Sequence, residues 1–119
     1  MNIKLFDSEL KIMEILWKEG DLTAKQIAAL TAAQTGWSKT TTYTVIKKCL
    51  DKGAIERKDP NFLCHALITK QEAQQFETRE LIDKMYDGAP DQLVASLLGS
   101  KSLSRDEIER LKQLIRDLE

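Results

Sequence analysis

The chain has 119 residues, 42% hydrophobic and 31% charged, with a formal net charge of −1; this balance excludes a disordered chain and fits one compact domain or a small domain with an appendage. No apolar run approaches the ~20 residues of a membrane span, and Met1 to Asp7 lacks the apolar core of a secretory signal. The chain is therefore expected in the cytoplasm with no membrane partner, and its two cysteines, Cys49 and Cys64, are expected as thiols.

Asp7 or Ser8 can cap a first helix whose apolar positions Leu10, Met13, Ile15, Leu16 and Trp17 follow helical spacing, and Gly20 can end it in the left-handed conformation. Thr23 is the next N-cap. Ala24–Gln34 reads as a second helix with Ile27, Leu30 and Ala33 as its inner stripe, and Thr35-Gly36-Trp37 reads as a turn. Ser38 caps a third helix from Lys39 to Lys52, with Val45, Ile46, Cys49 and Leu50 facing inward. Thr40, Thr41 and Thr42 are weak helix formers in its first turn, so their presence implies a gain elsewhere. Gly53 stops this helix. Ala54–Lys58 and Phe62–Ile68 read as two short strands around an Asp59-Pro60-Asn61 turn.

Three helices followed by a hairpin is the element order of a winged helix, in which the third helix enters the major groove. Charge agrees locally: Trp37–Lys58 carries six basic residues (Lys39, Lys47, Lys48, Lys52, Arg57, Lys58) against two acidic ones (Asp51, Glu56), a patch that suits phosphate.

Thr69 opens a fourth helix running to about Tyr86, and Gly88 and Pro90 break it. A short apolar helix with Leu93, Val94, Leu97 and Leu98 follows. After a loop, Ser104 and Glu107 form a capping box for a last helix carrying Ile108, Leu111, Leu114, Ile115 and Leu118. So much apolar surface after a wing is expected to form an interface, and self-association lets one surface serve both copies. The expected dimerisation residues are Phe76, Leu81, Met85, Tyr86, Leu93, Leu97, Ile108, Leu111 and Ile115. The fold class is thus mainly α with a small β-hairpin wing: a winged helix-turn-helix over residues 1–69 and a helical dimerisation arm over 70–119.

Catalytic signals are absent. His65 and Cys64 are strand neighbours and point to opposite faces. There is no glycine-rich phosphate loop, nucleophile elbow or closely spaced Cys/His set, so neither an enzyme, a metal site nor a cofactor is expected. The binding chemistry lies on the third helix. Lys39 can donate to guanine acceptors or phosphate, and the hydroxyls and methyls of Thr40, Thr41 and Thr44 suit base edges. Tyr43 offers a hydroxyl to phosphate, Lys47 and Lys48 sit one to two turns on for backbone contacts, and Ser38 stands at a helix N-terminus with free amides.

These residues resemble the BlaI/MecI/CopY-type penicillinase repressors. Asp7-Ser-Glu-Leu-Lys-Ile-Met-Glu-Ile-Leu-Trp17 is similar to their first helix, and Leu22-Thr-Ala-Lys-Gln-Ile27 to their second. Trp37-Ser38 with Thr41, Thr44 and Lys48, then Lys52-Gly53-Ala54-Ile55, is similar to their recognition helix and wing entry. Lys84-Met-Tyr-Asp-Gly88 and Leu103-Ser-Arg-Asp-Glu-Ile108 resemble their dimerisation arm. The resemblance implies a transcriptional repressor acting as a homodimer on palindromic operator DNA, with base contacts from Thr41 and Thr44. It implies a phosphate contact from Lys48, where the family usually has arginine.

The chain departs from the family pattern at several points. Thr40 stands where lysine is common, and the wing Lys58-Asp-Pro-Asn-Phe62 lacks the glycine-arginine tip. The cysteine-rich tail of copper-responsive members is absent. Antibiotic-responsive members are released by a sensor protease, a candidate partner here, but the matching segment reads Val94-Ala-Ser-Leu97 in place of asparagine-phenylalanine. Two other readings stay open: a winged-helix protein-interaction module, suggested by overall acidity, and a thiol-responsive regulator working through Cys49 and Cys64.

Overall fold

The computed structural model describes residues 3–119. The chain forms two compact units, one running to Glu77 and the other from Thr78 to Glu119. The elements are α1 (Asp7–Glu19), β1 (Leu22–Thr23), α2 (Ala24–Thr35), α3 (Lys39–Asp51), β2 (Ile55–Lys58), β3 (Leu63–Ala66), α4 (Lys70–Met85), α5 (Pro90–Gly99) and α6 (Arg105–Asp117).

In the first unit the core is built by α1, α2 and α3 over a small sheet. Ile12, Met13, Ile27, Ile46 and Cys49 are completely buried. α1 starts at Asp7 with Phe6 in the cap position, so neither Asp7 nor Ser8 is the cap. Phe6 has no capping oxygen; instead its backbone N–H donates to Glu9 Oε1 at 2.8 Å, which is half of a capping box. Gly20 closes the helix with φ +82° but ψ −163°, an extended turn outside the expected left-handed helical region. Thr23 caps α2 as expected, and Gln26 returns the bond to the Thr23 N–H. The inner stripe of α2 is Ala24, Ile27, Ala28 and Thr31, with Leu30 half-buried and Ala33 exposed. The i, i+3, i+4, i+7 progression turns Ala33 away from the core.

The sheet has three antiparallel strands in the order β1-β3-β2, one more than the expected hairpin. The extra strand is the pair Leu22–Thr23, whose partners are Cys64 and Leu63. In β3, Cys64 is buried while His65 lies on the other face, its Nδ1 2.7 Å from Asp21 Oδ1. The first two turns of α4 belong to this unit, and Ala73 joins its core.

The second unit contains the end of α4, then α5 and α6. Arg79 Nη2 donates both to Asp83 Oδ1 and to the Gly88 carbonyl, each at 2.9 Å, which holds the turn that ends α4. Pro90 occupies the first turn of α5, where its missing N–H costs nothing. Ser104 and Glu107 form the expected capping box on α6. No residue of α5 or α6 is buried. No described helix is long and apolar enough to cross a membrane.

Candidate nucleic-acid interface

α3 is fixed by its buried face and leaves the other free. Thr42, Val45, Ile46 and Cys49 are buried. Thr42 is the member of the threonine run that turns inward: its Oγ1 lies 2.6 Å from Thr31 Oγ1, and Thr31 also donates to the Ala28 carbonyl. The pair satisfies two buried hydroxyls and pins α3 to α2. Thr40 and Thr41 are exposed, so one threonine fixes the helix and its neighbours are left for the surface.

The exposed strip of α3 contains Ser38, Lys39, Thr40, Thr41, Thr44, Lys47 and Lys48. From Ser38 to Lys48 it carries no carboxylate. Ser38 Oγ accepts the Thr41 N–H at 3.1 Å and donates to Thr41 Oγ1 at 3.0 Å, so the cap also orients the Thr41 side chain. Thr44 donates back to the Thr40 carbonyl at 2.9 Å, which holds its methyl group in one rotamer. Lys47 meets Asp51 at 3.5 Å with both side chains mostly exposed, a contact of little energy. Lys39, Thr40, Tyr43, Thr44 and Lys47 line a shallow depression on this face.

Tyr43 is placed differently from the rest. It is half-buried, with its ring edge-on to Phe62 at a centroid distance of 5.9 Å. Lys39 Nζ sits 5.6 Å from the Tyr43 ring, and the Arg57 guanidinium lies 3.8 Å from the Phe62 ring. A cation–aromatic–aromatic–cation row thus joins α3 to the wing. Phe62 reaches this position with φ +52°, a left-handed conformation costly for a bulky side chain. The packing on Tyr43 and Arg57 offsets that cost. In the sequence Arg57 was read only as part of the basic patch and Phe62 only as the start of a strand; the visible signal for their packing was an aromatic residue directly after a Pro-Asn turn.

A partly buried ion pair supports the C-terminal end of α3. Lys52 Nζ contacts Glu9 Oε1 and donates to the Lys4 carbonyl at 2.8 Å. Burial pushes the Glu9 carboxyl up, but the Lys52 hydrogen bond, the Phe6 N–H and the charges of Lys52 and Lys48 outweigh it and hold the carboxyl below its usual value. The two thiols are completely buried, and burial pushes Cys49 up to about 12 and Cys64 up to about 11. Oxidation needs an accessible thiolate, so these positions suit packing and weigh against the thiol-responsive reading.

Of the expected dimerisation residues, Leu81, Met85, Leu97 and Ile115 are exposed, and Phe76, Tyr86, Leu93, Ile108 and Leu111 are half-buried. Phe76 lies in the first unit and the others in the second. The Tyr86 hydroxyl donates to Ser96 Oγ at 3.2 Å, linking α4 to α5.

Comparison with known proteins places this geometry. The methicillin resistance regulatory protein MecI of Staphylococcus aureus (strain N315) is 29% identical over 114 residues, covering 94% of this chain and 93% of MecI. The solved DNA-binding domain of the repressor BlaI superposes with a TM-score of 0.56 at 20% identity, covering 60% of this chain and 90% of that domain. The Bacillus licheniformis BlaI monomer, solved in complex with the blaP half-operator, superposes with a TM-score of 0.52 at 20% identity and the same coverage. These two likenesses establish the winged-helix fold. The penicillinase repressor family matches residues 5–117, nearly the whole length, and the chain belongs to that family.

Proposed function

We propose that the chain is a sequence-specific DNA-binding transcriptional repressor acting as a homodimer on a palindromic operator, with α3 in the major groove. The observation that carries this reading is the carboxylate-free exposed strip from Ser38 to Lys48 on a helix whose opposite face is locked into a core. In this reading Thr41 and Thr44 meet base edges, with hydroxyls that can donate or accept and methyls that pack on thymine. Ser38, Lys39, Lys47 and Lys48 meet phosphates on either side, and Tyr43 positions the wing more than it contacts bases. Membership of a repressor family, and a relative solved with its half-operator, support the DNA partner.

The dimer rests on a second observation. Leu81, Met85, Val94, Leu97, Leu98, Leu114, Ile115 and Leu118 are large, apolar and exposed in one unit, more than a lone soluble chain displays without a partner. A second copy of residues 70–119 would cover them with a self-complementary surface, and a two-fold protein reads a two-fold site. Release by a sensor protease would require cleavage in α5, where Val94 to Leu97 lacks the asparagine-phenylalanine pair of antibiotic-responsive relatives.

The test is binding of the purified chain to the DNA upstream of its own gene and to random DNA at two salt concentrations. The reading expects selective binding that weakens with salt, with a log–log slope of about −0.9 per phosphate contacted. Equal weak binding to both DNAs at either salt would favour a winged helix that docks a protein.

A further inference from the structure

The first unit carries a groove that no residue of α3 lines. It lies between α1 and the first two turns of α4 and encloses about 350 Å³, within the range of small-molecule sites. Two helical stripes form its walls. Asp7, Leu10, Glu14 and Trp17 follow one another at three- and four-residue steps on α1, and Lys70, Ala73, Gln74 and Glu77 share one face of α4 as positions i, i+3, i+4 and i+7.

The floor is apolar and fixed. Leu5 and Ala73 are buried there beside half-buried Leu10 and Trp17. The Trp17 indole N–H donates to the Ile68 carbonyl at 2.9 Å, so the ring cannot swing out to fill the space. The rim is acidic: Asp7, Glu14 and Glu77 face Lys70, three formal negative charges against one positive. All three acids are exposed, and none is paired with a described cation. A rigid indole with unpaired carboxylates around an apolar floor is complementary to a cation with hydrophobic substituents.

We infer that this groove is a binding site for lipophilic organic cations, held on Leu10 and Trp17 by their apolar parts and by Glu14 and Glu77 through their charge. An apolar anion of the same shape should be rejected by the rim, and this charge discrimination distinguishes the site from a general greasy surface such as α5 or α6.

The experiment titrates the full-length chain, without DNA, with tetraphenylphosphonium and with tetraphenylborate, ions of the same shape and opposite charge. Binding is read by calorimetry and by Trp17 fluorescence in a Trp37→Phe background. The expected result is saturable binding of one phosphonium per chain, with the borate weaker by about tenfold or more. In the Glu14→Gln/Glu77→Gln chain, changed only at exposed positions, phosphonium affinity should fall about tenfold while the borate binds no more weakly. Any of four results would overturn the inference: no saturable binding, equal affinity for both ions, an unaffected double variant, or one ion per two chains, which would give the groove to a second copy. Because no DNA is present, failure here leaves the repressor reading untouched.

Discussion

The two units use apolar side chains in opposite ways. Residues up to Glu77 hide them: Ile12, Met13, Ile27 and Ile46 have no exposed surface. From Thr78 onward Ile82 alone among the described large apolar side chains is buried, and Leu118 is 87% exposed. Yet α6 is as well formed as α3, because Ser104 and Glu107 cap it. A capped helix of 13 residues is marginal in water without tertiary cover. The first unit thus completes its packing internally, and the exposed apolar side chains of the second are what the proposed dimer would cover.

The largest effect is expected in the core of the first unit. Ile46→Ala empties a fully buried position on the inner face of α3 and should cost about 2–5 kcal/mol of unfolding free energy, read by urea denaturation; a loss below ~1 kcal/mol would mean the first unit is less tightly packed than it looks. Charge on the displayed surface comes next. Leu97→Glu with Ile115→Glu should raise the dimer dissociation constant about a hundredfold, or ~2.7 kcal/mol, by analytical ultracentrifugation, with helicity retained. A dimer of unchanged strength would place the interface elsewhere.

The partly buried ion pair gives a smaller effect with a pH signature. Glu9→Gln should cost about 1.5–3 kcal/mol at pH 7. The folded-state value of Glu9 lies below its usual 4.5, so its contribution is present above that value and is lost as pH falls through the lowered one. Urea midpoints of the natural chain should therefore drop as pH falls below about 4.5, and the Glu9→Gln chain should lose less over the same window. Parallel pH profiles would show that Lys52 does not hold the carboxylate. The smallest effect is an expected absence of change: with Cys49 and Cys64 fully buried, mild peroxide should leave DNA affinity unaltered within about twofold, and a larger loss would revive the thiol-responsive reading.

Features written in neighbouring residues were legible in the sequence. Thr23, Ser38 and Ser104 announce their helices because a cap and its helix lie within four residues. The family pattern marked Thr41, Thr44 and Lys48, and all three lie on the exposed strip of α3. What depended on distant partners was not legible. β1 is two residues long and exists only through Leu22 pairing with Cys64. Nothing local tells Thr42 from Thr41; only the 100° step per residue and Thr31 across the core decide which turns inward. Nothing near Tyr43 in the sequence announces its packing partner, because Phe62 arrives from a left-handed turn in the wing. Phe6 escaped notice as a cap because its side chain has no oxygen to accept an N–H of the first turn, and only its own N–H, donated to Glu9 Oε1, marks the position.

If α3 reads sequence, exchanging two of its exposed threonines should weaken the preference for one DNA over another. Thr41→Ala with Thr44→Ala leaves the buried face untouched, so thermal unfolding should move by less than about 1 kcal/mol. The preference for the natural upstream DNA over random DNA should fall by about tenfold or more, while salt-dependent binding to random DNA persists. A double variant that keeps the natural preference would contradict the account and move recognition off this helix face.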